Sequence, residues 1–280
     1  MRRARGAAGA LLAAVFFAAC GGARDAAGTA TRSAIRIDGS NGVMPLAAAL
    51  ASAWRAAGAQ DSVVFGAGMG GAARIQALLE ERIDIALASH GIDVDSLVAR
   101  GLAVHRVALT PVVFGVHAGV TTPGLTEAQV CNAFAGRTTD WRASGSTRLP
   151  LRPVVRPESE VDMEVVRSGI PCFATLALAR GITVVEETSD MANALAASEG
   201  AIGVTTATVV QQSNGRIRAL SLGGIEPSVD AVTSGRYRLR RSSYLITRAS
   251  PDSGVVRYLD FIRSARGAAV LAANGSIPAP

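Results

Sequence analysis

The chain has 280 residues, a formal net charge of +6, 49% hydrophobic residues and only 4% aromatic ones. All 28 basic residues are arginine, and no basic cluster is interleaved with aromatics, so the charge reads as coding bias and excludes a nucleic-acid surface. Three scattered histidines and three cysteines have no metal-ligand spacing, and no metal or cofactor is expected.

Met1-Arg2-Arg3-Ala4-Arg5 forms a basic n-region, followed by an uncharged apolar run over residues 7–19. That run falls short of the roughly 20 apolar residues a bilayer-spanning helix needs. Residues 1–19 are therefore expected to be a secretory signal peptide. Phe17-Ala18-Ala19-Cys20-Gly21 resembles a bacterial lipobox, with Phe17 where leucine is usual. Cleavage there leaves Cys20 as a lipidated N-terminus, whereas an ordinary signal peptide is cut near Ala19; either way the chain is exported. Loss of Arg2, Arg3 and Arg5 lowers the formal charge from +6 to about +3. Residues 20–33 are then the lipidated cysteine and a small, polar, flexible tether holding a body at a membrane. No later run is long and apolar enough to cross a bilayer. In an oxidising compartment Cys131 and Cys172 either pair as a disulfide or stay as two buried thiols.

The remaining stretch of about 245 residues alternates strand-like and helix-like segments. "AIRIDGS" (34–40) alternates like a strand, and residues 42–58 read as a helix with Pro45 near its start and Gly58 at its end. "SVVFGAG" is a strand running into glycines, "ARIQALLEER" has helical spacing, and "IDIALAS" (83–89) is a strand. This β-α-β-α-β order predicts a mostly parallel sheet with helices on its faces. Residues 104–119 are long for one strand and contain Pro111, so they are expected to leave one domain and cross to another. "GLTEAQVCNAFAG" begins a helix with Thr126 and Gln129 in capping-box positions. Strands are expected at 149–155, 182–189, 201–207 and 216–224, with helices starting near 159 and 190. Residues 237–247 form a second long extended segment, and 253–275 are helical with a break at Gly267. Two long extended segments suit hinge strands between two lobes that close on a small ligand.

In order, "IRIDGSNGVMPLAAALASAW", "GAGMGGAARIQALLEERIDIALASH", "GLTEAQVCNAFAGRTTDW", "LPLRPVVRPESE" and "IRALSLGGIEPSVDAVTSGRYRLRRSSYLITR" resemble the phosphate-type solute-binding proteins of bacterial ABC importers. The resemblance covers nearly all of residues 34–280. It implies an α/β fold of the two-lobed periplasmic binding protein type II class, with two hinge strands and a ligand cleft between the lobes. Lobe I would comprise residues 34–110 and 245–280, and lobe II residues 111–244.

The family holds its anion with loops at helix N-termini, where unpaired N–H groups and the positive end of the helix dipole meet. The first such loop here is Ser40, Asn41, Gly42, Val43 and Met44; the second is Gly70, Gly71 and Ala72, without the family's usual serine. Ser89 and His90 form the third, where the family usually has an acidic or basic residue after the serine. The fourth, "VRPESEVDM", carries Arg156 at the family's arginine, a planar fork suited to oxyanions. The family's Ser-Gly-Thr triplet is replaced by Glu160, Val161 and Asp162, or by a run headed by Ser159 if the register shifts by one. Glu160 or Asp162 could cap the helix in the anion's place, or accept hydrogen bonds from a protonated oxyanion.

The resemblance implies an exported lipoprotein that binds a small oxyanion, phosphate first, by hinge closure. Its partners would be an ABC permease in the inner membrane and the lipid anchor's own membrane, on the periplasmic or cell-surface side. The alternative keeps the fold without transport, as a sensor or adaptor of the cell envelope with altered or lost ligand binding. No Gly-x-Ser-x-Gly elbow or His-Glu-x-x-His helix occurs, and no enzyme activity is expected.

Overall fold

The computed structural model describes residues 34–146 and 148–279. The expected signal peptide, the tether and Cys20 lie outside the described residues. In β1 (Ala34–Gly39) the isoleucines Ile35 and Ile37 are buried while Ala34 and Arg36 are exposed, the alternation of a half-covered strand. The strand ends at Gly39 with φ 135°, and a Cβ there would stand 2.3 Å from the Leu87 carbonyl oxygen, so only glycine fits. α1 (Met44–Ala56) takes Pro45 in its first turn and buries Leu46, Leu50 and Trp54 along one face. Then follow β2 (Ser62–Phe65), α2 (Gly71–Leu79), β3 (Ile85–Ala88) and α3 (Val94–Ala99), the last capped by the Asp93 side chain. β1 pairs in parallel with β2 and β3. All four residues of β3 are buried, Ile85 and Leu87 against the cluster under α1, Ala86 and Ala88 against the one under α2. A strand buried on both faces is what a helix-covered parallel sheet requires.

β4 (Leu102–His117) is one unbroken strand of 16 residues. Beyond it lie β5 (Gly124–Leu125), α4 (Glu127–Phe134), a 3₁₀ turn at Trp141–Ser144, β6 (Arg152–Val155), α5 (Val161–Gly169) and α6 (Pro171–Ala174). β7 (Thr183–Val184), α7 (Thr188–Ala197), β8 (Ala201–Thr206), α8 (Ala207–Gln212), β9 (Ile217–Ala219), β10 (Ser221–Leu222) and α9 (Val229–Thr233) come next. The chain closes with β11 (Arg240–Arg248), α10 (Ser253–Arg263), α11 (Ala265–Ala273) and β12 (Ile277–Pro278).

The strand order is β2-β1-β3-β11-β4-β8-β6-β7. β4 belongs to two half-sheets: residues 102–111 pair antiparallel with β11, and residues 112–117 with β8 and β9. The change of partner falls at Pro111, which lies opposite Arg240, the first residue of β11. A residue without an N–H is tolerated where one ladder stops and another begins. The next donor, Val112 N–H, bonds Leu239 O at 2.9 Å, so the chain's return crossing lies beside its outward one.

The first half-sheet is covered by α1, α10 and α11 on one face, where Trp54 and Tyr258 pack at 4.9 Å between ring centroids, and by α2 and α3 on the other. Phe114, Phe134, Phe173 and Trp141 fill the larger core of the second, and Met191, Leu195 and Val209 cover its opposite face. Cys131 on α4 and Cys172 on α6 form a disulfide, which decides between the two fates open to them. The Thr126–Gln129 capping box is formed in both directions.

Three expectations are corrected. The strand expected over 182–189 is only Thr183–Val184, an exposed edge pair, and α7 already starts at Thr188. The strand expected over 216–224 divides into β9 on β4 and β10 on β5. The C-terminal helix breaks at Ser264, which caps α11 through Gly267 N–H, and Gly267 lies inside the new helix. A Cβ on Gly267 would stand 2.3 Å from Ile262 O, so this glycine serves the close approach of two helix ends and not a break.

Candidate functional site

The ends of β1 and β3 and the starts of α1 and α2 are tied into one corner. Ser40 N–H donates to Leu87 O at 3.0 Å, and Ser40 O accepts from Val43 N–H at 3.0 Å and Met44 N–H at 3.2 Å. Buried Asp38 accepts from Gly39 N–H at 2.6 Å and Gly68 N–H at 3.0 Å, which fastens the second loop to the end of β1. A Cβ on Gly66 would fall 1.8 Å from the Asp38 carboxylate, and one on Gly68 2.2 Å from Asn41 Oδ1. The glycine-rich run is thus needed for close packing as well as for backbone exposure. Gly70, Gly71 and Ala72 are exposed at the start of α2, which has no side-chain cap. From the same helix Arg74 reaches back beneath the loops, with its Cδ 3.1 Å from where a Cβ on Gly39 would be. Burial lowers the pKa of its guanidinium, and its Nε has no hydrogen-bond partner among the described residues.

A second arginine joins this corner to the other half-sheet. Arg241 on β11 is 3% exposed. Its Nη1 donates to Ser89 Oγ at 2.8 Å and its Nη2 to Gly42 O at 2.6 Å. Its Nε lies 2.9 Å from Oδ1 of Asp162, in the first turn of α5. Ser89 Oγ in turn donates to Ser242 O at 3.2 Å.

Arg156 follows β6 and is 4% exposed. Its Nη1 donates to Thr188 Oγ1 at 3.0 Å at the start of α7, and its Nη2 lies 3.1 Å from Glu160 Oε2. That last approach is off the hydrogen-bond axis, so Arg156 Nε and Nη2 both remain without a hydrogen-bond partner among the described residues. Glu160 is the N-cap residue of α5 but makes no side-chain cap, and neither does Glu187 before α7. Buried guanidinium donors beside uncapped helix starts favour an anion electrostatically. A cavity of about 270 Å³ opens beside Thr188, lined by Pro45 from the first half and by Asn193, Gln212 and Arg216 among others from the second.

Of the residues expected from the sequence, Ser40, Asn41, Gly42, Val43 and Met44 form one turn, and Gly42 and Ser89 meet on Arg241. Arg156 and Glu160 meet each other. His90 and Ser159 are exposed, and the structure brings neither onto the arginines by any hydrogen bond among the described residues. Arg74, Thr188 and Arg241 were not anticipated. The signal for Arg241 lay in strand alternation: Leu239, Arg241, Ser243, Leu245 and Thr247 are all buried, so the arginine occupies an inward position between two inward neighbours.

The model of the PBP superfamily domain matches residues 25–266. A phosphate-binding protein PstS of Bacillus subtilis strain 168 is 24% identical over 171 residues, covering 59% of this chain and 54% of that protein. The chain thus spans about half the length of this curated relative. Among solved structures, one described as a phosphate ABC transporter substrate-binding protein with bound phosphate, from Clostridium perfringens, superposes with a TM-score of 0.72 at 19% identity, covering 89% of this chain and 100% of that one. An ABC-type phosphate transport receptor from Vibrio cholerae gives 0.60 at 21% identity, covering 88% and 100%. Those structures share the fold, a mixed sheet divided between two α/β halves, and the match over residues 25–266 shows that this chain belongs to the PBP superfamily.

Proposed function

We propose that this protein is an exported, lipid-anchored solute-binding protein of an ABC-type importer that holds a small oxyanion, phosphate, in the cleft between its lobes. The lobes are residues 34–110 with 245–280, and residues 111–244, and they close about the crossing of β4 and β11. The observation that carries the reading is Arg156: a buried guanidinium with two donor atoms lacking partners, set at an uncapped helix start. Leaving buried charged donors unmet costs about 1–3 kcal/mol each, which an oxyanion would recover. Phosphate is the ligand named for the relatives of the same fold. The turn Ser40–Met44, the start of α2 at Gly70, Gly71 and Ala72, Ser89 and His90 rim the first side; Ser159 and Glu160 rim the second. Cys20 carries the lipid, and the closed form docks on the permease in the inner membrane. Calorimetric titration with phosphate, sulfate and arsenate tests this: micromolar or tighter phosphate binding is expected, and silence across the panel would overturn it.

A second reading has its own observation. Glu160 beside Arg156 and Asp162 beside Arg241 put carboxylates where the anion's charge would fall. An envelope sensor or adaptor that has given up the ligand would look the same, and the silent titration would favour it.

A further inference from the structure

Arg241 is held by three segments: Gly42 and Ser89 from the first half-sheet, and Asp162, which reaches it from α5 of the second. The carboxylate stands in the first turn of a nine-residue helix with no side-chain cap, against a guanidinium, where the helix dipole and the arginine fork favour negative oxygen. An oxyanion ligand would use the same two features. The contact is not saturated. At 2.9 Å Arg241 Nε and Asp162 Oδ1 are close in charge but out of line, and both atoms are without a hydrogen-bond partner among the described residues. Room for the guanidinium depends on Gly42, since a Cβ there would stand 3.0 Å from Nη1. Arg241 therefore has a prepared seat, and the group it faces across the cleft is a side chain of the protein.

We propose that Asp162 is the internal ligand of the cleft: its carboxylate takes an oxyanion's place on Arg241, bridges the two halves, and must be displaced when solute binds. The inference rests on the oxyanion reading of the site above. An occupant that competes for the binding-competent form lowers apparent affinity by the fraction of chains it holds. A buried pair with a purely structural role behaves in the opposite way, because removing one partner weakens the fold and everything bound to it.

The full chain, in wild-type form and as Asp162→Asn, is titrated with inorganic phosphate by calorimetry and followed by hydrogen exchange with and without phosphate. Phosphate affinity is expected to rise about tenfold or more in Asp162→Asn. Amides of residues 40–44 and 161–164 should exchange faster than wild type without phosphate and slow down with it. Equal or weaker affinity than a wild type that does bind overturns the proposal. If neither protein binds phosphate, the phosphate reading falls on its own; faster exchange at those amides then upholds Asp162 as the internal ligand, and unchanged exchange overturns it. Asp162→Ser serves if the asparagine variant does not fold, and failure of both to fold also overturns the proposal, since a displaceable ligand is not needed for folding.

Discussion

The helix starts on the two halves of the sheet, the two rims of the proposed cleft, differ in chemistry. On the first, the starts of α1 and α2 carry no acidic residue in their first turns, and half-buried Arg74 lies beneath their loops. On the second, α5 starts with Glu160 as N-cap and with Asp162 and Glu164 in its first turn, beside Arg156. Helix starts of both kinds leave N–H groups without intrahelical partners. The difference therefore lies in side-chain charge: one side offers donors alone, and the other sets the carboxylate of Glu160 beside an arginine that keeps two donor atoms unpartnered among the described residues. Affinity for an anion should thus be decided on the second rim, where a gain or loss of one charge changes the balance most.

The scaffold beneath the rims differs too, and the largest expected effect tests it. The second half is stapled by Cys131–Cys172, 41 residues apart, beside the Phe114, Phe134 and Phe173 rings; the disulfide has no counterpart among the described residues of the first half. Closing a loop of that size stabilises a fold by about 4 kcal/mol in the chain-entropy account. Cys131→Ser with Cys172→Ser should lower stability by about that much in denaturant titration. Hydrogen exchange should rise in residues 112–239 and leave 34–110 near wild type. Equal loss in both halves would show that they do not differ in this way. Next in size is Arg156→Ala, expected to weaken phosphate binding about 100-fold, because two or more charge-assisted donors are lost. Arg74→Ala on the opposite rim should weaken it less. The reverse order in calorimetry would move the decisive charge to the first rim.

How much of this was legible follows from how local each signal is. The βαβ order, the capping box at Thr126 and Gln129, and the passage of β4 through Pro111 depend on residues close in sequence, and each could be read from periodicity and punctuation. Arg156 was legible only through resemblance to a family motif. Arg241 was legible only in part: alternation in "RLRRSSYLIT" puts it on the face of Leu239 and Leu245, opposite exposed Arg240, but nothing local names what it meets there. Its partners are 79 or more positions away, brought near only by the return crossing, and Asp162 was noticed solely as a departure from a triplet. Short helices such as α8, from the β-branched "ATVVQQ", are set by packing against β4 and β8 and not by propensity. Gly267 misled for the same reason, because the carbonyls it must avoid belong to the end of the preceding helix.

The smallest expected effect separates the halves by titration in the neutral range. His105 lies on the first-half stretch of β4, with Nδ1 2.9 Å from Arg263 Nη2 and Nε2 3.1 Å from Thr247 Oγ1. A guanidinium can only donate, so Nδ1 accepts and the proton of the neutral ring sits on Nε2, facing Thr247. The Thr247 hydroxyl donates its own hydrogen bond to Arg248 O at 2.9 Å, which leaves its lone pairs free for the histidine. Burial, and then the positive charge of Arg263, hold the His105 pKa below its ordinary 6.5. The unfolded chain therefore takes up this proton at a higher pH than the folded one. Between the two pKa values the unfolded state binds more protons, so stability falls as the pH drops through 6.5 and levels off below the folded value. His105→Gln keeps a donor and an acceptor without a titrating ring. Denaturant midpoints measured from about pH 7 to pH 5 should slope in the wild type and flatten in the variant. Loss of exchange protection on acidification, relative to the intrinsic rate at each pH, should be confined to residues 102–110 and α10. A slope that survives the substitution would mean that another group carries the acid sensitivity and that burial of His105 does not distinguish the two halves.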